Sequence, residues 1–144
     1  MKYFLISIGV LIGSEVAATE LLFFSGQNRD KFLGCLTCSE YDSNSVCNGY
    51  GPYGNEYSAS GMWNEYAGFG NEYLPDSPWN EYSSSNSVPV LVDSEGKFYG
   101  YFTINEYRAD AVKFSANLKQ WFNSADGNLE KVRLRLCKEF SKIG

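Results

Sequence analysis

Asn55–Gly70 reads N-E-Y-S-A-S-G-M-W-N-E-Y-A-G-F-G, and the segments on either side repeat it. Upstream, Ser39–Gly54 is S-E-Y-D-S-N-S-V-C-N-G-Y-G-P-Y-G; downstream, Asn71–Tyr82 is N-E-Y-L-P-D-S-P-W-N-E-Y. The three align at a period of 16 residues without a gap. Tyr41, Tyr57 and Tyr73 fall in one column and Tyr50, Tyr66 and Tyr82 in another, while Cys47, Trp63 and Trp79 share a third. Tyrosine and tryptophan suit a pleated, half-buried surface. Asparagine and glycine tolerate left-handed backbone, and asparagine can bond its own main chain. The unit therefore predicts very short strands or extended pieces alternating with turns, with like aromatics stacked into ladders across three units.

Outward from the repeats, the pattern changes twice. Leu21–Phe24 and Phe32–Leu33 read as strands around a polar turn at residues 26–30, and Val88–Val92 with Phe98–Ile104 reads as a hairpin across Asp93–Gly96. Pro89 places its strand at an edge or at its start. Asn105-Glu106-Tyr107 repeats the motif once more, outside the 16-residue register. The tail turns helical: Phe114, Leu118, Trp121 and Phe122 share one face of a helix expected from near Asp110. A second helix carries Leu129, Val132, Leu136, Cys137 and Phe140, with Asn128 as its cap. The fold class expected is α+β: aromatic repeats of short strands and turns plus a β-hairpin, closed by two C-terminal helices.

The first 18 residues have the layout of a secretory signal: Lys2, an apolar run over residues 3–12, and Val16-Ala17-Ala18 before Thr19. That run is shorter than the roughly 20 residues that span a bilayer. The expected organisation is a signal over 1–18 and a single domain over 19–144. Within it lie N-terminal strands (19–38), repeats (39–82), hairpin (83–107) and helical tail (108–144). An exported protein, periplasmic or secreted, with no membrane span after cleavage, follows from this reading. Cysteine count agrees, because Cys35, Cys38, Cys47 and Cys137 form an even set, which in an exported chain implies two disulfides. Three pairings are open; Cys38–Cys47 with Cys35–Cys137 is the expected one.

The chain has no histidine, a net charge of −5 and 17% aromatic residues. Without histidine, the usual general base, the Ser-His and Cys-His nucleophile pairs and the commonest metal ligand are all missing. Negative charge argues against nucleic acid as a partner. From Ser39 to Tyr82 there are seven acidic residues and no lysine or arginine, whereas residues 108–144 hold eight basic and four acidic ones. Helices lying against the repeats in the same molecule account for that split. The glutamates preceding each tyrosine read as a solvated acidic face ahead of a calcium or glycosidase site.

A non-enzymatic module, structural or adhesive, is the function expected, with no catalytic residue, metal or cofactor. Its candidate ligand-binding residues are Trp63, Tyr66, Trp79 and Tyr82, amphipathic rings able to stack on sugars, so a glycan or envelope component is the partner in view. The rival is a thiol-disulfide oxidoreductase using Cys35-Leu36-Thr37-Cys38, the spacing of a redox dithiol. In that class the motif opens a helix after a strand, and here it precedes a turn-rich repeat.

Leu33-Gly34-Cys35-Leu36-Thr37-Cys38-Ser39-Glu40-Tyr41-Asp42-Ser43, the G-N-E-Y-S and S-P-W-N-E-Y repeats, and the V-D-S-E-G-K-F-Y-G-Y-F-T-I-N hairpin together resemble a group of small exported bacterial proteins. The resemblance covers most of residues 19–144. It implies a bacterial source and brings no activity or site residues with it.

Overall fold

A computed structural model describes residues 19–25 and 27–141; the signal-like segment lies outside them. Four strands form one antiparallel sheet: β1 (Leu21–Ser25), β2 (Lys31–Cys35), β3 (Val90–Asp93) and β4 (Phe98–Tyr101), in the order β2-β1-β3-β4. Two helices, α1 (Ser115–Ser124) and α2 (Leu129–Ser141), close the fold, which is α+β as the sequence implies. Strand alternation divides the sheet's side chains. Phe23, Leu33 and Leu91 enter the main core with Phe102 and the helices' Leu118, Val132 and Leu136, while Val88, Val90 and Tyr101 form a small cluster apart from it.

The β3–β4 hairpin is closed by its own aspartate. Asp93 Oδ1 accepts the N–H groups of Glu95 and Lys97, both at 2.9 Å, and Oδ2 accepts the Tyr99 hydroxyl at 3.2 Å. The Lys97 N–H bond, foremost, holds this carboxyl below the usual carboxylate range. The strands are shorter than the sequence pattern implies. Phe102–Ile104 leaves β4 and bonds elsewhere, Phe102 N–H to Pro89 O and Ile104 N–H to Pro78 O.

The repeats contain no strand. Between Ser39 and Ser83 the backbone turns about every three residues, and at most of these steps an N–H bonds the carbonyl three back. Asp42 bonds Ser39, Ser45 bonds Asp42, Asn48 bonds Ser45 and Gly51 bonds Asn48, at 2.9–3.2 Å. In the third unit Leu74, Ser77, Asn80 and Ser83 follow the same rule back to Asn71. In the first unit one longer step, Asn55 N–H to Gly51 O, brings the total to 16 residues; in the second, the overlapping bonds Gly70 N–H to Ala67 O and Asn71 N–H to Gly68 O lead to the next asparagine. The expected alternation of short strands and turns is thus corrected to a continuous spiral of turns. Asparagine decides it: at positions 48, 55, 64, 71, 80 and 105 its side-chain Oδ1 accepts the N–H of the tyrosine two residues on, at 2.8–3.3 Å. This local bond competes with a strand ladder.

The out-of-register Asn105-Glu106-Tyr107 turns out to be a fourth rung. After the β3–β4 excursion the chain rejoins the spiral: Ile104 N–H bonds Pro78 O, and Asn105 Nδ2 donates to Ser83 O at 2.9 Å. At the other end, the spiral is tied to the sheet where Cys35 N–H bonds Asn44 O and Val46 N–H bonds Cys35 O. The helices lie against the same spiral. Phe122 of α1 stacks on Trp79 with centroids 5.8 Å apart, and Lys119 reaches Glu81 and Glu106 at 3.8 and 3.7 Å. On α2, Arg133, 3% exposed, donates to Val46 O and pairs with Glu130. Helix α1 starts at Ser115 rather than near Asp110, because Tyr101 N–H bonds Asp110 O and Val112 N–H bonds Tyr101 O, which keeps that stretch extended beside β4. Asn128 caps α2 as expected, its Oδ1 accepting Lys131 N–H at 3.1 Å.

Each complete unit ends on a buried glycine packed against backbone. A Cβ on Gly54 would lie 2.2 Å from Asn48 O, and one on Gly70 1.8 Å from Asn64 O. Gly96, in the hairpin loop at φ 89°, has nothing within 4 Å. Gly70→Ala should therefore destabilise by more than about 3 kcal/mol, among the larger single-residue effects, and Gly96→Ala by only about 1–2 kcal/mol of backbone strain. Urea unfolding of both variants checks the contrast; equal effects would remove the close-packed rung.

Candidate functional site

The spiral has an inward and an outward side, set by the three-residue step. The column preceding each asparagine points inward, so Trp63 and Trp79 are core residues, each 1% exposed, with ring centroids 5.4 Å apart. This corrects the expectation that they present stacking faces to a ligand. Trp79 Nε1–H is satisfied by Met62 O at 2.7 Å, while Trp63 Nε1 has no hydrogen-bond partner among the described residues.

The tyrosine of each Asx turn points outward. Tyr41, Tyr50, Tyr57, Tyr66, Tyr73, Tyr82 and Tyr107 are all 79–99% exposed, where an ordinary core-forming aromatic would be covered. Tyr66 and Tyr82, two of the four residues singled out from the sequence, stand in this row. Tyr41 has the same geometry through Ser39 Oγ at 3.2 Å. Hydrogen bonding to Glu56 holds the Tyr57 phenol above its ordinary range, and Glu65 does the same to Tyr66. Both rings therefore remain neutral donors at physiological pH.

Between these turns and the helices run three shallow notches. One of about 250 Å³ lies between Tyr57 and Tyr66, over Trp63 and Leu129. A second of about 440 Å³ lies between Tyr66 and Tyr73 over Phe122, and a third of the same volume between Tyr73 and Tyr82 over Trp79. Each is walled by two tyrosines and two of the repeat glutamates, with an apolar floor. The repetition was visible in the sequence; the notches were not, because they need α1 and α2 as their far wall.

All four cysteines are disulfide-bonded, paired Cys35–Cys38 and Cys47–Cys137. The expected pairing, Cys38–Cys47 with Cys35–Cys137, is corrected. Cys47 takes the inward place that Trp63 and Trp79 hold in later units, and it meets Cys137, four residues beyond Arg133 on α2. Cys35, 1% exposed, closes on its near neighbour instead. No helix follows the Cys35–Cys38 bridge, and the more accessible sulfur, Cys38 Sγ, lies 3.3 Å from the Glu20 carboxylate. That charge repels both an attacking thiolate and one forming on release. Glu20, Cys35 and Cys38 bring one oxygen and two sulfurs within 4.8 Å of one another, but a disulfide has no thiolate for a metal. Both bridges border a cleft of about 660 Å³ lined also by Leu36, Tyr99 and Phe140. Among the described residues no helix is long and apolar enough to cross a membrane.

No protein-family model, curated protein or solved structure matches this chain.

The two bridges differ in sequence separation, 90 residues against 3. Cys47→Ser with Cys137→Ser should lose about 4–5 kcal/mol by the loop-entropy relation, and Cys35→Ser with Cys38→Ser roughly 2 kcal/mol. Denaturant midpoints of the two double variants decide this, and a larger loss from the short bridge would contradict it.

Proposed function

We propose that the protein is an exported, non-enzymatic binding module whose row of outward tyrosines engages a glycan. The observation that carries this reading is the exposure of those rings. Seven tyrosines stand 79–99% exposed in one repeated turn geometry that the core does not use. An Asx turn fixes the backbone under six of the rings, and the Ser39 hydroxyl does so under Tyr41, so little order is lost on binding. Tyrosine supplies flat apolar area with a polar tip, suited to a sugar's C–H face and hydroxyls. Repetition adds avidity, since contacts too weak alone become effective when a polymer spans several of them. Two disulfides and the signal-like residues 1–18 support a place outside the cytoplasm.

A thiol-disulfide oxidoreductase through Cys35 and Cys38 is the weaker reading. Its support is the C-x-x-C spacing alone, and the carboxylate beside Cys38 works against it.

Binding of the mature protein to immobilised cell-wall and host glycans tests the proposal. Tyr66→Ala with Tyr82→Ala should reduce binding by about fivefold to a hundredfold, as loss of two aromatic contacts of about 0.5–1.5 kcal/mol each implies, without moving the thermal midpoint. Trp79→Ala should instead destabilise by about 3–5 kcal/mol. Glycan binding indifferent to the tyrosines, or none at all, contradicts the proposal.

A further inference from the structure

Charge on this chain is divided between repeats and tail, and folding leaves most of it unpaired. Of the seven carboxylates between Ser39 and Tyr82, only Glu81 meets a cation among the described residues, Lys119 at 3.8 Å. Lys119 also reaches Glu106, and the remaining tail pairs are internal: Arg108 with Asp110, Arg133 with Glu130 and Arg135 with Glu139. Lys131 and Lys138 of α2 form no ion pair among the described residues. The helices do lie against the repeats, but chiefly through the apolar core, so the charge difference stays on the surface.

Each half presents a defined face. On α2 the exposed residues Lys131, Leu134, Arg135 and Lys138 recur at the three- and four-residue spacing of one helix side. Beside them on α1 is the half-buried Trp121, with the Arg135 guanidinium 5.2 Å from its ring centroid. The groove between the helices here, about 310 Å³, has Lys131 and Arg135 in its lining and no carboxylate. The repeats carry the reverse. Glu65, Tyr66, Glu72 and Tyr73 wall the notch of about 440 Å³ over Phe122, and no basic residue lines it. Two leucines are exposed among the described residues, one on each face: Leu134 at 55%, and Leu74, next to Tyr73, at 43%. The two faces therefore match in sign and both carry apolar area, the combination that steers and holds protein surfaces together. Because one chain carries both, every copy offers what another lacks.

We propose that the protein self-associates, the outward face of α2 in one copy docking on the Glu65–Leu74 stretch of a second copy's repeats. Lys131 and Lys138 pair with the exposed carboxylates, and Leu134 packs among the tyrosines and Leu74. This goes beyond the glycan-binding reading and does not rest on it, since the contact forms without a glycan.

Sedimentation equilibrium of the mature protein, with no glycan present, tests it. Association should weaken by about tenfold or more as sodium chloride rises from about 50 mM to about 500 mM, because exposed charges are screened. Lys131→Glu with Lys138→Glu leaves both faces acidic, and Glu65→Lys with Glu72→Lys leaves both basic. Each double variant alone should be monomeric, and an equimolar mixture of the two should associate again. The substituted side chains are exposed, so both should keep the parent's thermal midpoint. Should either fail to fold, Leu134→Ser, expected to weaken association, and the salt dependence still decide. A parent protein that stays monomeric would overturn the proposal and leave the α2 face for an acidic partner of another kind. Association that persists in both double variants, or a mixture that does not associate, would also overturn it. None of these outcomes involves glycan binding, which stands or falls on its own test.

Discussion

A backbone that turns every three residues has no ladder in which to bury its peptide groups, and the whole molecule is arranged around that difficulty. At most of these steps an N–H bonds the carbonyl three back, and an asparagine side chain takes the tyrosine N–H that the turn leaves over. Each such bond contributes only about 1 kcal/mol net, against about 1–2 kcal/mol of backbone entropy per ordered residue. The spiral is therefore not stable by itself. It holds because its inward column, Val46, Met62, Trp63 and Trp79, is completely covered by the sheet and by both helices. Sheet, spiral and helices share one core, and the Cys47–Cys137 bridge ties the first rung to the last helix.

The same step that buries one column exposes another. Tyrosine two residues after each turn-forming asparagine falls on the outside of the turn, and at all of these turns but Asn48-Gly49-Tyr50 a glutamate lies between the two. The acidic character of residues 39–82 is answered partly by Lys119 on α1, which reaches Glu81. Glu56 and Glu65 line the notch over Trp63. A face both aromatic and acidic is what remains for a partner to read.

Much of this was legible in the residues. The hairpin around Asp93, the Asn128 cap, the helical tail and the α+β class all follow from local patterning, where near neighbours decide the outcome. Trp63 and Trp79 were misplaced because the residue types fit a period of two as well as a period of three. Only the Asn–Tyr main-chain bond at every turn separates the two. The fourth rung at Asn105 lay outside the repeat register, since a hairpin interrupts it. Disulfide pairing depended on where α2 docks, and Arg133 reaching Val46 O is a contact across 87 residues that no local signal carries.

The central claim is that the repeats form a hydrogen-bonded spiral folded as one unit with the sheet and helices. Amide hydrogen exchange on the native protein tests it most directly. The N–H groups of Asp42, Ser45, Ala67 and Asn80 should be protected and should open with the same free energy as the amides of β1. Exchange of these turn amides at open-chain rates while β1 stays protected would contradict the claim, and would make the repeats a loop hung on the sheet.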